Sequence, residues 1–331
     1  MSIAASLFVL AMPMTLFAVV LHALAPLFLL IVLGAFLKRL RVLHVAHVPI
    51  LNGLVIHVTL PALIFLALTR APTLPASDVR LPMVFWTAEA VTMALAYGLG
   101  RLLRLSRSAL GALMIVGVFG NTAFLGYPIT LSLLPKEFPA TVLLDEFGCV
   151  VVLYLSGALI GGAFGSQEGN WRGAMLKFAR SSLFLSVMAA LVVRLLPWPH
   201  DFLTLPAVVS IGGVLSQCLA YLSQGTTPLI LLAVGVSLQP RAALAAPGAA
   251  LLPCLLKLFV CPLAMWGACR LLGVHGDALR VGVLQASMPT SVMASVLCAQ
   301  NDLEGPLAVG VVFLTTVLSL ASVPLLLSVL R

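Results

Sequence analysis

The chain has 331 residues, of which 62% are hydrophobic and only 8% are charged. Soluble domains carry about 25% charged residues, so the composition excludes an ordinary soluble protein and predicts an integral membrane protein. The formal net charge of +8 does not indicate a nucleic-acid partner, because the basic residues are distributed over short loops between apolar segments.

Ten apolar segments are each about as long as a bilayer-spanning helix, which needs roughly 20 residues. They lie at 16–37, 48–69, 81–100, 109–134, 140–164, 180–197, 206–238, 246–269, 279–299 and 306–330. The sequence therefore predicts an all-α membrane protein with ten transmembrane helices. The joining loops are too short to hold a soluble domain.

The basic residues favour one set of loops. The odd-numbered loops hold ten Lys and Arg residues and the even-numbered loops hold six. Because Lys and Arg accumulate on the cytoplasmic side, this predicts a cytoplasmic (inner) membrane protein with both termini outside. Residues 1–15 are interpreted as an apolar N-terminal extension without the basic start of a signal peptide. They either extend the first helix or precede a true start at Met12 or Met14.

The fourth apolar segment is interrupted near its centre. Gly120, Asn121, Gly126 and Pro128 lie within nine residues. Proline removes a backbone donor, and glycine relaxes the backbone. These residues predict a broken helix whose backbone groups face a polar cavity, as in the substrate sites of secondary transporters.

The two halves of the chain are similar to each other. Matching positions are Pro61 with Pro228, Arg101 with Arg270, and Pro128 with Pro289, at offsets of 167, 169 and 161 residues. This predicts a first five-helix repeat at 16–164, a short cytoplasmic linker at 165–172 and a second repeat at 173–331. An odd number of helices per repeat inverts the second half, an arrangement typical of alternating-access carriers.

The ninth segment carries a second break at Gln285 to Ser291, including Pro289. If the two broken helices cross at mid-membrane, four half-helix ends converge there. The N-terminal ends suit a carboxylate and the C-terminal ends suit a cation.

These motifs resemble the auxin efflux carrier family, which includes plant PIN proteins and bacterial permeases. The resemblance is carried by Gly120-Asn121-x-x-Phe124-x-Gly126-x-Pro128, Ala286-Ser287-Met288-Pro289-Thr290, Thr59-Leu60-Pro61-Ala62-Leu63 and Leu256-Lys257-Leu258. It implies a scaffold domain and a transport domain with crossed fourth and ninth helices, as in bile-acid-transporter-like and antiporter-like folds. It also implies small organic anions such as malate or malonate as substrates. Because the long loop of plant PIN proteins is absent, the resemblance favours a bacterial permease.

Most of the candidate substrate-binding residues lie at the two breaks. They are Asn121, Thr122, Gln285, Ser287, Thr290 and Ser291, and the seventh candidate, Lys257, lies deep inside the eighth segment. Two alternatives are purely structural: the Asn121 amide can cap a broken helix end, and buried hydroxyls can bond back to the preceding helical turn.

Lys257 and Glu89 occupy nearly equivalent places in the two repeats. A buried lysine requires a partner or a neutral state. The two residues either form a static ion pair or have separate roles, in which Lys257 binds the substrate anion and Glu89 carries a coupling proton.

Other titratable residues offer alternatives for proton coupling. His57 can titrate near neutral pH, but a membrane histidine also serves as a hydrogen-bonded packing residue. Asn52 lies one turn away as a further candidate ligand. The adjacent Asp145 and Glu146 resemble the proton site of sodium/proton antiporters, although their position near a helix start favours solvation at the membrane interface.

The sequence contains no phosphate-binding loop and no metal-ligand pair, so neither ATP-driven transport nor a cofactor or metal is predicted. The resulting interpretation is a secondary active transporter of small organic anions in the lipid bilayer, coupled to protons or the membrane potential in preference to sodium. A homodimer is a further expectation, because related folds dimerise. The competing interpretation is a membrane-embedded enzyme acting on lipid-linked substrates.

Overall fold

The structure, a computed structural model, describes residues 25–71, 76–165, 170–195, 211–238 and 247–329. Every regular element in these ranges is helical, and the one β-type pairing among them is an isolated bridge between two loops. The predicted all-α class is confirmed for this part of the chain. The N-terminal extension 1–15 and residues 166–169 of the linker lie outside the described residues.

The helices follow the apolar segments of the sequence in order. They are 25–39, Val45–Arg70, Ala76–Leu102, Arg107–Val116, Thr122–Leu133, Pro135–Phe164, Trp171–Ala179, Ser182–Leu195, Ile211–Gln224, Thr226–Ser237, Pro247–Leu255 with Leu256–Val260 and Cys261–Leu271, Gly276–Ala286, Val292–Gln300 and Gly305–Val329.

Six of the described helices are long and apolar enough to cross a membrane. A bent pair, Trp171–Ala179 and Ser182–Leu195, meets at 53° and adds a seventh span if the pair crosses as one unit. These helices establish an integral membrane protein. The predicted total of ten spans in two inverted repeats stays a prediction.

Three helices contain a five-residue π turn that ends two positions before a proline. These turns are Val55–Thr59 before Pro61, Thr122–Gly126 before Pro128 and Leu256–Val260 before Pro262. A proline ring lacks an N–H and crowds the carbonyl four residues earlier. A π turn widens the backbone at that point, so the helix continues through the proline without ending there.

Two helices are interrupted, each by a five-residue non-helical segment, at 117–121 and 287–291. We call Arg107–Val116 with Thr122–Leu133 the first broken helix, and Gly276–Ala286 with Val292–Gln300 the second broken helix.

The predicted set of helix-breaking residues is correct in part. Gly120 and Pro289 lie inside the two breaks, as predicted. Gly126 and Pro128 do not, because the helix has already resumed at Thr122 and the π turn accommodates Pro128.

The two breaks are joined through their backbones. The Asn121 amide donates to the Pro289 carbonyl (2.7 Å), and the Ser291 amide donates to the Phe119 carbonyl (3.0 Å). These two bonds form the antiparallel bridge between Gly120 and Thr290.

The bridge also corrects the predicted match of Pro128 with Pro289. The residues that precede the resumed helices, Asn121 and Ser291, differ by 291 − 121 = 170 positions. This offset agrees with the 167 and 169 of the other two matches, whereas the proline match gave 161.

The buried apolar residues form two clusters. One joins parts of Ala76–Leu102, Pro135–Phe164 and Gly305–Val329 with the N-terminal half of each broken helix. The other joins parts of Val45–Arg70, Ser182–Leu195 and Thr226–Ser237 with the C-terminal half of the first broken helix. The first break therefore lies where the two clusters meet, whereas both halves of the second broken helix contribute to the first cluster.

Candidate functional site

A cavity of about 170 Å³ lies beside the two breaks. Its polar lining comes from five stretches of chain: Asn52; Gly120, Asn121 and Thr122; Asp145, Cys149 and Tyr154; Ser181; and Ser291. Apolar side chains such as those of Phe124, Leu153 and Val296 complete the wall. The cavity is smaller than the roughly 300–1,000 Å³ pockets of drug-sized ligands, and its size favours a small ligand.

Two helix N-termini meet at this cavity. The first broken helix resumes at Thr122 and the second resumes at Val292, and both residues line the wall. The first backbone N–H groups of a helix have no partner within the helix and carry a partial positive charge. Two such ends facing one small cavity suit an anion.

Asn121 stands at the start of one of these ends. It is 5% exposed, and its side chain makes no capping hydrogen bond. Its backbone carbonyl accepts from the amides of Leu125 and Gly126, both at 3.1 Å. The structural alternative, in which the side chain caps the helix, is therefore wrong, and the Asn121 amide lines the cavity.

Ser291 behaves differently at the second helix end. Its hydroxyl accepts a hydrogen bond from the Met293 amide at 3.2 Å, which is a helix cap. The residue still lines the cavity. Thr122 also lines it, and its hydroxyl donates to the Asp145 carboxylate.

Asp145 is fully buried in the cavity wall, and the prediction that it is solvated at the membrane interface is wrong. The helix begins at Pro135, ten residues before Asp145, and the π turn Leu144–Val150 packs against Ala76–Leu102. One carboxylate oxygen, Oδ1, accepts from the Thr122 hydroxyl at 2.5 Å. The other, Oδ2, has no hydrogen-bond partner among the described residues.

Glu146 and Glu89 are also buried, and their carboxylate oxygens have no hydrogen-bond partner within the described ranges. The expectation of interfacial solvation is therefore wrong for Glu146 as well. Neither residue lines the cavity. Glu89 interacts electrostatically with both Lys257 and Asp145.

Lys257 is 0% exposed and lies behind the first break. Its ammonium donates to the Ala286 carbonyl at 2.6 Å, at the C-terminal end of Gly276–Ala286. A Cβ atom on Gly120 would come within 3.1 Å of Nζ, so glycine is what leaves room for the ammonium. The positive charge stabilises the negative end of that helix.

The static ion pair of Lys257 with Glu89, one of the two alternatives, is not formed, since the structure gives no salt bridge between these two described residues. The Ala286 carbonyl holds the ammonium instead.

Gln285 and Ser287 are bonded within the protein and do not line the cavity. The Gln285 amide nitrogen donates to the Thr130 hydroxyl at 2.9 Å, which links the two broken helices. The Ser287 hydroxyl donates back to the Leu284 carbonyl at 2.7 Å.

Thr290 likewise has internal partners. Its hydroxyl donates to the Val116 carbonyl at 2.8 Å, and its amide donates to the Thr315 hydroxyl at 3.0 Å. It connects the end of one half-helix to the opposite break. A direct substrate contact for these three residues stays a prediction.

His57 is exposed on its helix, with Nδ1 3.1 Å from the Ser182 hydroxyl. It does not line the cavity, whereas Asn52, one turn earlier on the same helix, does. Tyr154 and Ser181 are cavity residues that the sequence reasoning missed. Neither residue belongs to a motif, which is why the sequence did not identify them. The feature that could have identified Tyr154 was a polar hydroxyl within an apolar helix.

Within the described residues, no group of three or more His, Cys, Asp or Glu side chains is arranged to hold a metal ion.

Comparison with known proteins identifies the family of the chain. The family model described as "Membrane transport protein" matches residues 19–161 and 172–327. An uncharacterized transporter of Methanocaldococcus jannaschii is 27% identical over 90% of this chain and 94% of its own. An uncharacterized transporter of Methanothermobacter thermautotrophicus is 30% identical over 89% of this chain and 93% of its own.

A third relative comes from Rhizobium meliloti and is named "Putative malonate transporter". It is 28% identical over 85% of this chain and 86% of its own length. The family match covers most of the chain and includes both breaks. The chain therefore belongs to the membrane transport protein family, the family of the auxin efflux carriers, and is an integral membrane transporter.

Proposed function

We propose that this protein is a secondary active carrier of small carboxylate anions, of the malonate or malate class, that works by alternating access. The observation that carries the proposal is the cavity at which two helix N-termini meet. The partial positive charge of both ends favours a carboxylate, and a dicarboxylate has one group for each end. The name of the rhizobial relative refers to malonate.

The side chains of the cavity fit this ligand class. The Asn121 amide can donate to one carboxylate while the Thr122 and Val292 amides donate from the helix ends. No Lys or Arg is among the described residues that form the wall. The carboxylate would therefore be bound by backbone dipoles and neutral donors. Such donors bind an anion and also release it, as a carrier requires.

The proposed architecture has ten spans in two inverted five-helix repeats in the cytoplasmic membrane, with both termini outside. Supporting it are the two broken helices, their corrected offset of 170 residues and the bridge between their breaks. Coupling to protons or to the membrane potential, and a homodimer, belong to the same proposal.

The test is uptake of radiolabelled malonate, malate and succinate by purified protein in liposomes, under imposed proton, sodium or potential gradients. We expect saturable uptake that responds to a proton or potential gradient. Asn121→Ala should lower kcat/KM about tenfold or more, because a hydrogen bond to a charged group contributes roughly 1.5–3 kcal/mol.

The matched control is Asn170→Ala. Asn170 is an exposed asparagine that caps Trp171–Ala179, outside the cavity. It should transport close to the wild-type rate. Uptake no greater than in empty liposomes for all three acids, or equal rates in Asn121→Ala and wild type, would contradict the proposal.

A further inference from the structure

The cavity that faces two positive helix ends also has a carboxyl group in its wall. Asp145 lines it and is completely buried, with Oδ2 lacking any hydrogen-bond partner in the described part of the chain. An anion-binding cavity with an ionised carboxylate in its wall opposes its own ligand, because like charges repel strongly where water is scarce. The Asp145 carboxyl therefore decides when the cavity accepts an anion.

The surroundings of Asp145 contain more acid than base. The groups that face it or interact with it are the Thr122 hydroxyl, the Tyr127 phenol, the Cys149 thiol and the carboxyls of Glu89 and Glu146. Lys257 is the cation that interacts with Glu89 and Cys149 in this group.

The charges of this group do not balance. With Glu89, Asp145 and Glu146 all ionised and Lys257 charged, three negative charges face one positive charge, which leaves 3 − 1 = 2 uncompensated. Buried charges without partners are too costly to persist, so protons must reside on this group. Of the three carboxyls, Asp145 is the one that lines the cavity and can exchange its proton there.

We propose that Asp145 is the proton-carrying residue of the transporter, and that a carboxylate anion enters the cavity together with one proton on this side chain. The inference rests on the proposed function and adds its coupling. The proton comes from the solution to which the cavity is open. In the protonated state Oδ1 still accepts from Thr122, and the acid O–H is available to the bound carboxylate.

Thermodynamic linkage between proton binding and anion binding then determines whether the two move in the same or in opposite directions. If the proton favours anion binding, the anion favours proton binding by the same factor. The anion and the proton therefore move in the same direction, and acid on one side drives accumulation of the anion on the other.

The test measures malonate binding to the purified protein between about pH 5 and 8. This range lies above the pKa of an ordinary carboxyl group, which is roughly 4. Wild type should bind more weakly as the pH rises, approaching about tenfold per pH unit for one linked proton. Asp145→Asn should bind malonate with only the pH dependence that malonate's own titration imposes. In liposomes this variant should still exchange labelled for unlabelled malonate but should not accumulate it in response to an acid gradient.

The matched control is Glu146→Gln, which removes an adjacent buried carboxyl that does not line the cavity. It should keep the wild-type slope of binding against pH, with a midpoint shifted only by the loss of the neighbouring carboxyl. If Asp145→Asn keeps that dependence, or if Glu146→Gln alone loses it, the inference is overturned.

A second variant covers the case in which Asp145→Asn does not fold. Thr122→Val keeps the side-chain shape but removes the donor that stabilises the ionised carboxylate. Binding should then persist to a higher pH than in wild type, and an unchanged pH profile would count against the role of Asp145. Failure of wild type to bind malonate at every pH would instead overturn the proposed substrate class, and this inference with it.

Discussion

Single residues divide into those that face the cavity and those that hold the breaks in place. Asn121, Thr122 and Ser291 face it, whereas Gln285 and Thr290 are engaged in hydrogen bonds between helices. The sequence placed all of them near one point, because they flank two glycine- and proline-containing breaks. It could not separate them, because hydroxyl and amide groups serve equally as ligands and as internal partners.

Lys257 and Glu89 also show that the sequence does not identify the hydrogen-bond partner of a buried side chain. Their near-equivalent positions in the two halves predicted that they would interact, and they do interact electrostatically. The direct ion pair does not form, because the Lys257 ammonium donates to the Ala286 carbonyl at 2.6 Å instead. A backbone acceptor at a helix end leaves no sign in the sequence.

The pair gives a prediction on stability. Lys257→Met should lower the free energy of unfolding by on the order of 3 kcal/mol, because it leaves buried carboxyl groups without their cation. The double variant Glu89→Gln/Lys257→Met should lose less than the sum of the two single variants. Thermal unfolding in detergent measures both effects, and strictly additive losses would show that the two side chains are independent.

At the scale of helices, the sequence predicted the all-α class and a break in each of the two segments, but it extended the first break too far, to Pro128. The length of the apolar segments predicted the helices, because a chain in hydrocarbon must form its backbone hydrogen bonds internally. Gly120 predicted the position of the first break. Pro128 was taken as a break, yet a π turn accommodates it. Proline alone does not distinguish a break from a widened turn, since both relieve the same crowding.

The π turns lead to a prediction for Lys257, which lies in the turn Leu256–Val260 before Pro262. Pro262→Ala removes the crowding and lets the turn close into an α-helix. The residues before it then rotate by about 100°, one residue of an α-helix, and the ammonium leaves the Ala286 carbonyl.

Pro262→Ala should therefore destabilise the protein, and its effect should be non-additive with Lys257→Met in thermal unfolding. The control is Pro324→Ala, a proline inside Gly305–Val329, whose effect should add to that of Lys257→Met. Additivity for Pro262→Ala would indicate that the turn does not position the lysine.

At the scale of the whole molecule, the described residues also form a second cavity, apart from the one beside the breaks. A second cavity of about 460 Å³ is lined by Arg70, Lys136 and Ser223, among others. Gln285 and Thr130 of the broken helices line neither cavity. The basic-residue pattern places Arg70 and Lys136 in even-numbered loops and Ser181 beside an odd-numbered one. The proposed topology therefore predicts that the two cavities face opposite sides of the membrane.

This assignment is testable by cysteine labelling. In a background of Cys218→Ala, which removes an exposed thiol, Ser181→Cys and Ser223→Cys should react with a membrane-impermeant thiol reagent from opposite sides. Malonate should change the two labelling rates in opposite directions, because opening one side closes the other. Labelling of both positions from the same side would contradict alternating access through these cavities.

The bridge between the breaks has a consequence for motion. Its two hydrogen bonds use only main-chain atoms of Phe119, Asn121, Pro289 and Ser291. To separate the broken helices would leave two buried backbone N–H groups without these partners, at a cost of several kcal/mol each. Replacement of side chains there leaves these bonds in place, since every non-proline residue supplies the same amide. In the proposed alternating-access cycle we therefore expect the two broken helices to move together as one body.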